Sequence, residues 1–338
     1  MNIKDIAKMA GVGVSTVSRV INDHPDVKDE TREKIKKIIK ESKYVPNNSA
    51  RILKQNSTRN IGVLIKGVFN PFFSEMLNII GNKITEAGYT MIIQNNDYKT
   101  EDDIDGLIAF VKEKRLQGVI CLGGNFLNID DSSLELLDVP VVLTSVNTLF
   151  KENKNKFSSI GIDNVVAAED VTKYLIKKGH RNIGILIGDE NDVGISKLRL
   201  QGYKKAIEDF GLKYDENNVF IGNYDYKPAY DAVKYMLENK NDITAIFAIS
   251  DIMAVGAAKA VSDKGLKIGE DISIIGFDGL DVSKYYTPGI TTVKQPKKNM
   301  AKHSVELLID LLNNKGNHEH VLFETQIIER ESCREIKS

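Results

Sequence analysis

Residues 3–22 read IKDIAKMAGVGVSTVSRVIN, and this stretch decides the architecture of the amino-terminal end. Ile3, Ile6, Ala7 and Ala10 recur at helical spacing, with Gly11 as the stop signal. Val17, Val20 and Ile21 repeat the pattern and predict a second helix from about 14 to 22. Two short helices joined by a glycine-containing turn have helix-turn-helix geometry. The turn sets them at a steep angle, and the second helix can enter a major groove about 12 Å wide. Its outward side chains are Val14, Ser15, Thr16, Ser18 and Arg19. Arginine can pair bidentately with guanine, hydroxyls suit phosphates or base edges, and valine can meet a thymine methyl.

Outward from this motif, His24-Pro25-Asp26 is a turn, and a third helix is predicted from about 29 to 42. Ile35, Ile38 and Ile39 face inward on it, and Asp29 and Glu30 occupy the first turn, where the helix dipole favours negative charge. Tyr44-Val45-Pro46-Asn47-Asn48 breaks the pattern, a short segment spans 49–54, and 55–60 is a polar linker. From residue 60 the texture changes. Strand-like runs at 60–65, 90–94, 118–122, 139–144, 183–187, 219–224, 245–249 and 273–277 alternate with helical patterns. These lie at 72–87, 102–114, 165–178, 197–210, 230–239, 252–264 and 300–313. Such alternation implies crossover connections and parallel sheets covered on both faces. So long a stretch exceeds one comfortable core, so two such units are expected.

The chain has 338 residues, 42% hydrophobic and 28% charged, a globular composition with material for a large core. No apolar run approaches the roughly 20 residues of a membrane helix. The opening residues carry Asp5 and no apolar h-region, so no secretory signal is expected. The two cysteines, Cys121 and Cys333, make no disulfide framework, which fits a reducing cytoplasm. Charge is segregated: residues 1–58 hold 12 Lys/Arg against 7 Asp/Glu, and the remainder 34 against 40. A basic head on an acidic body is expected where only the head meets nucleic acid.

These stretches, with VKDETREKIKKII, Tyr44-Val45-Pro46-Asn47 and Ala50-Arg51-Ile52-Leu53-Lys54, resemble the headpiece of the LacI/GalR family of bacterial transcription regulators. The body resembles that family too, through Asn70-Pro71-Phe72-Phe73, Gly179-His180-Arg181-Asn182-Ile183, Arg199-Leu200-Gln201-Gly202-Tyr203, Asp251-Ile252-Met253-Ala254, Ile275-Gly276-Phe277-Asp278 and a run from Pro288 to Pro296. The resemblance implies a small all-α helix-turn-helix headpiece (1–45), a hinge helix and linker (46–58) and an effector-binding and dimerisation domain (59–338). That last domain would be an α/β type I periplasmic-binding-protein-like core of two Rossmann-like subdomains, 60–162 with 291–321 and 163–290 with 322–338. By matching position, Val14, Ser15 and Arg19 would contact bases, with Ala50 and Leu53 of the hinge helix in the minor groove. Asn2, Thr16, Ser18, Asn22, Thr31 and Tyr44 would contact the backbone. An apolar wedge such as Leu53 unstacks a base step, and two wedges imply a homodimer on a palindromic operator in double-stranded DNA.

Two departures stand out. Gly13 replaces a usual serine at the start of the recognition helix, and Lys28 replaces one before the third. Lys28 trades a cap for a positive charge that could touch phosphate, so a steeper salt dependence is expected. For a small-molecule effector, a sugar or sugar phosphate or related metabolite, the candidates are Phe72, Phe73, Asp163, Arg199, Tyr224, Asp251 and Asp278, with Lys66, Ser145 and Ser250 as further possibilities. They combine charge-assisted hydrogen bonding with aromatic faces. Phe72 is equally readable as core, and Asp251 as a helix N-cap. Lys66 would favour an anion unless it points to solvent.

Relatives that use a phosphorylated carrier protein as co-repressor have an arginine where this chain has Glu306, which would repel phosphate. An enzyme is not expected: there is no G-x-S-x-G elbow, P-loop or dinucleotide motif, the five histidines are scattered, and no cofactor or metal is implied. A secreted sugar-binding protein would share the body but carry a signal peptide in place of the head. The expected mechanism is a cytoplasmic homodimer in which ligand changes the angle between subdomains and so the pairing of hinge helices on DNA. The chain ends without a leucine-heptad extension, so a dimer rather than a tetramer is expected.

Overall fold

The computed structural model describes residues 1–21, 23–44, 59–67, 70–96, 103–126, 129–146, 155–189, 194–239 and 242–336. Asn22 and the expected hinge helix with Ala50 and Leu53 lie outside the described residues. The chain divides into two units, 1–58 and 59–338.

In the first unit, α1 (Ile3–Ala10) starts at Asn2. The Asn2 side-chain oxygen accepts from the backbone N–H groups of Lys4 and Asp5 at 2.9 and 3.3 Å, and the Asp5 carboxylate accepts from the Asn2 N–H at 2.8 Å. This reciprocal capping box satisfies the orphan donors of the first turn. Gly11 ends the helix in the left-handed region, φ 71°. α2 (Val14–Ile21) and α3 (Asp29–Glu41) follow. Ile6, Ala7, Ala10, Val17, Val20, Val27 and Ile35 form the buried core, with Ile3, Ile21, Ile38 and Ile39 partly buried against it; all of these but Val27 follow from the apolar spacing of the sequence.

The second unit contains two six-stranded sheets. The first has the order β11–β5–β4–β3–β1–β2 and is parallel throughout; the second runs β12–β10–β9–β8–β6–β7 and is parallel except for β12. In chain order the first lobe holds β1 (Asn60–Lys66), α4 (Pro71–Glu86), β2 (Thr90–Asn96), α5 (Ile104–Lys114), β3 (Gly118–Leu122), α6 (Asp131–Leu137), β4 (Val141–Thr144) and β5 (Ser158–Ile162). The second holds α7 (Asn164–Lys177), β6 (Ile183–Ile187), α8 (Ile195–Asp209), β7 (Val219–Ile221), α9 (Tyr226–Asn239), β8 (Ala245–Ala248), α10 (Asp251–Asp263), β9 (Ser273–Asp278), α11 (Asp281–Tyr285) and β10 (Thr291–Lys294). The chain then returns to the first lobe as α12 (Lys297–Leu312) and β11 (His320–Phe323), and ends in the second as β12 (Gln326–Ile328).

Among the described residues three segments therefore cross between the lobes: one at Asp163, one at Gln295-Pro296, one at Glu324-Thr325. The expected subdomain boundary at 290/291 needs correction. Thr291–Lys294 pairs with β9, from Thr291↔Ile275 to Lys294↔Asp278, so it belongs to the second sheet and the crossing comes after it. The second boundary moves likewise, because Leu322 and Phe323 pair with β5 in the first sheet. Strands β5, β10, β11 and β12 and helices α6 and α11 go beyond the sequence reading. The strand expected from 139 begins at Val141 because Pro140 has no N–H to give the ladder. Parallel strands buried on both faces explain the near-continuous apolar runs of β3, β4 and β6.

Candidate nucleic-acid interface and ligand cleft

Helix α2 has two unlike sides. Val17 and Val20 are buried, whereas Val14, at 41% exposure, Ser15 and Arg19 are exposed. Positions 14, 15, 18 and 19 share one face of a 3.6-residue helix, so an apolar group, two hydroxyls and a guanidinium stand together. Ser18 on this face and Thr16 outside it are half-buried. The first turn of α2 has no acidic residue, so the positive end of its dipole is not neutralised by its own side chains. The Gly13 carbonyl accepts from the Thr16 and Val17 N–H groups, the backbone half of a cap without the side-chain half. Lys28 precedes α3 and makes no side-chain cap either.

Arg32 fixes the end of α2. Its guanidinium donates to the His24 carbonyl at 2.5 Å and to the Asp23 carboxylate at 3.4 Å. Asn2 and Lys28 are exposed, and Thr31 and Tyr44 half-buried. The Asn2 oxygen is committed to capping α1, a use the sequence reading did not assign.

In the second unit the candidates gather where strands end, the usual ligand position in open parallel sheets. On the first lobe, Asn70 caps α4 by accepting from the Phe72 N–H at 3.0 Å, with Pro71 at the first helical position. Phe72 and Phe73 are buried edge to face, ring centroids 5.4 Å apart. Ser145 follows β4 at φ 56°, its N–H donating to the Ile160 carbonyl at 2.8 Å.

Lys66 ends β1, and here the expectation is corrected. It neither points to solvent nor stands open to an anion. Its ammonium is 2.9 Å from the carboxylate of Asp103, itself 1% exposed, which also accepts from Asn96 Nδ2 at 3.0 Å and the Asn125 N–H at 2.7 Å. Asp103 is 37 residues away in the chain, so no local pattern reveals the pair.

On the second lobe, Arg199 of α8 donates from Nε to Asn164 Oδ1 at 3.0 Å and from Nη1 to the Ile249 carbonyl at 2.5 Å. Its guanidinium lies 3.6 Å from the centroid of the Phe277 ring. Asp278 ends β9 at φ 115° and accepts from Gln295 Nε2 at 2.8 Å. Burial pushes its carboxyl up to about 6, against the opposing pull of Arg199, the Gln295 hydrogen bond and Lys297. Tyr224 donates or accepts at Ser196 Oγ, 2.8 Å away. Asp163 is exposed and caps α7 through the Val166 N–H at 3.0 Å.

Asp251 is fully buried, but it is not the cap of α10. That role falls to Ser250, whose hydroxyl accepts from the Met253 N–H at 3.2 Å. The Asp251 carboxylate instead accepts from the Leu280 N–H at 2.6 Å and the Thr292 hydroxyl at 2.5 Å, tying α10 to the loop after β9 and to β10. Burial, and then the charge of Asp278, push it up to about 8. Gln295 lies within the run from Pro288 to Pro296, and the sequence alone does not single it out. It is 2% exposed, and its Oε1 has no hydrogen-bond partner among the described residues. Altogether the strand ends bring together carboxyl, guanidinium, amide and aromatic groups, a set suited to a polyhydroxylated ligand.

Comparison with known proteins agrees with this geometry. Residues 2–47 match the family model described as bacterial regulatory proteins, lacI family, and residues 172–333 match a periplasmic binding protein-like domain. The chain is 59% identical over 333 residues to the HTH-type transcriptional regulator MalR of Clostridium butyricum, covering 98% of this chain and 99% of that one. It is 34% identical over 334 residues to the HTH-type transcriptional repressor PurR of Vibrio atlanticus, with 98% of each covered. Among solved structures, a complex of the transcriptional regulator CelR with cellobiose is similar over 98% of this chain and 99% of that one, with a TM-score of 0.70 and 29% identity.

Proposed function

The chain belongs to the LacI family of bacterial regulatory proteins, and from that membership we propose a specific mode of action for it. It is an effector-controlled, DNA-binding transcriptional regulator and not an enzyme. In our reading it acts as a cytoplasmic homodimer that represses from a palindromic operator. Val14, Ser15 and Arg19 read base edges, while Asn2, Thr16, Ser18, Lys28, Thr31 and Tyr44 hold the backbone. Asn22, Ala50 and Leu53, outside the described residues, complete the contact set. The carrying observation is the split of α2 into a buried valine side and an exposed Val14–Ser15–Arg19 side.

The effector in this reading is a neutral sugar held by Arg199, Asp278, Tyr224, Phe72 and Phe73. The cellobiose carried by the CelR relative supports it. So does the Lys66–Asp103 pair, which removes the charge that favoured an anion. Glu306 pairs with Lys83 at 3.2 Å, so at this position α12 presents a carboxylate, and not a cation, to a phosphoprotein. The test is thermal unfolding of the full chain against neutral sugars, sugar phosphates, nucleosides and purines. A ligand at 100 times its dissociation constant adds about 2.7 kcal/mol. A shift with neutral sugars only is expected; a shift confined to anions or purines overturns the sugar reading.

A further inference from the structure

Helix α12 breaks a local rule at its start. It opens Lys297-Lys298, with no acidic residue in its first turn and no side-chain cap at Pro296. A cation at a helix N-terminus opposes the dipole. Lys297 is also 9% exposed, although lysine is rarely buried unless paired. A residue that costs stability locally needs a compensating contact elsewhere.

The contacts that compensate lie on opposite lobes. Lys297 Nζ donates to Glu75 Oε1 at 2.9 Å, in the second turn of α4 and therefore in the first lobe. It also donates to the Gly279 carbonyl at 3.3 Å, in the second lobe, immediately after Asp278. The backbone there is specialised. Gly279 has φ +67°, and a Cβ on it would lie 2.8 Å from Lys294 Cα, so only glycine turns the chain and aims this carbonyl. Lys297 itself is the first helical residue after the crossing at Gln295-Pro296. One ammonium at a crossing thus holds an acceptor on each side of it.

Rotation of one lobe against the other keeps Lys297 with α12 and so with the first lobe, where α12 packs on α4, β3, β4 and β5. The Glu75 bond can survive such a rotation. The Gly279 bond cannot, because its acceptor travels with the second sheet. We propose that Lys297 is a positioning residue that pins the angle between the two lobes, with Glu75 orienting its ammonium and the Gly279 carbonyl as the seat it leaves when the angle changes. The neighbouring Gln295–Asp278 bond ties the same crossing to the cleft, so the pin sits beside the groups expected to meet a ligand.

The experiment reads the angle directly, in the full chain without DNA or sugar, so its outcome is independent of the regulator reading. Glu113→Cys on α5 and Glu208→Cys on α8 place one exposed thiol on each lobe. The native Cys121 and Cys333 are buried and resist labelling. Pulsed electron–electron distance measurements between two nitroxides are then made in this background, alone and with Lys297→Met, Glu75→Gln, both together, or Lys297→Arg.

The expected result, with labelled chains diluted in excess unlabelled chain so that only the distance within one subunit is read, is one narrow distance in the background protein and a shifted or broadened distribution with Lys297→Met. A shift in the same direction is expected with Glu75→Gln, with no further change in the double variant and recovery in Lys297→Arg. Glu75 is 41% exposed on its side chain, so Glu75→Gln serves as the deciding variant should Lys297→Met fail to fold. Unchanged distributions in Glu75→Gln and in every folded Lys297 variant would overturn the proposal.

Discussion

Two carboxyls set the chemistry of the second lobe at the scale of single residues. Asp251 is raised to about 8 and Asp278 to about 6, burial being the larger cause for each. A carboxyl raised in the folded state binds a proton that the unfolded chain has already released, so stability falls as pH rises through that interval. For Asp251 the interval runs from its ordinary value of 3.8 to about 8. Asp251→Asn removes the titration and keeps a side chain that can pair with Thr292 and Leu280. The melting temperature of Asp251→Asn relative to the parent should therefore climb between acid and mildly alkaline pH. A difference that stays flat across that range would contradict a raised carboxyl.

On α2, Arg19→Ala should cost about 1–3 kcal/mol of operator affinity and relax specificity at one base pair. Lys28→Ser should weaken all DNA alike and reduce the salt slope by about 0.9. Both are read by fluorescence anisotropy at several salt concentrations. Residues of this kind were legible because exposed polar groups follow from the position of the apolar stripe. Lys66 was not, because its charge is cancelled by a carboxylate distant in sequence. Asp251 is readable from sequence as an effector contact or as a helix N-cap; the cap alternative fails because one helix start offers two adjacent oxygens, and only the backbone trajectory decides that Ser250 takes the N–H.

Elements differ in how plainly the sequence announces them. The central strands are apolar runs between amphipathic helices, and period alone separates the two. The four missed strands, β5, β10, β11 and β12, are three to five residues long. They read SSIGI, TTVK, HVLF and QII, too short or too polar to show a period. All four adjoin the lobe crossings, where partners supplied by remote chain do what local pattern does elsewhere. Helix packing was also invisible in advance.

Gly202 lies where α7 and α8 touch: a Cβ there would be 2.1 Å from the Val165 carbonyl oxygen and 2.9 Å from the Ala168 Cβ. Backbone cannot yield as a side-chain tip does, so Gly202→Ala must push the helices apart, at about 1–3 kcal/mol. Those same helices carry Asn164 and Arg199, whose hydrogen bond is 3.0 Å. The variant should therefore melt earlier and bind the proposed sugar effector more weakly, by thermal scan and calorimetry. Full sugar affinity with a lowered melting point would separate packing from the site.

At the scale of the whole molecule, the surplus of basic residues in 1–58 and of acidic ones in the remainder fits the proposed division of DNA binding and effector binding between two separate units. In the proposed regulator their communication is a coupling free energy: a tenfold change in operator affinity on effector binding would be about 1.4 kcal/mol, and operator would change effector affinity by the same factor. Arg199 is the sharpest probe of which state-dependent contact carries it. Its fork is split between Asn164 and the Ile249 carbonyl, over the Phe277 ring, a geometry lysine cannot copy although it keeps the charge. If Arg199 reads the sugar, Arg199→Lys leaves operator affinity without sugar within about twofold and abolishes the response to sugar. If it instead braces the second lobe, the substitution moves sugar-free operator affinity as far as sugar does in the parent. Parallel operator titrations of both proteins, with and without saturating sugar, separate these outcomes. A coupling that survives intact in Arg199→Lys would remove Arg199 from the effector site altogether.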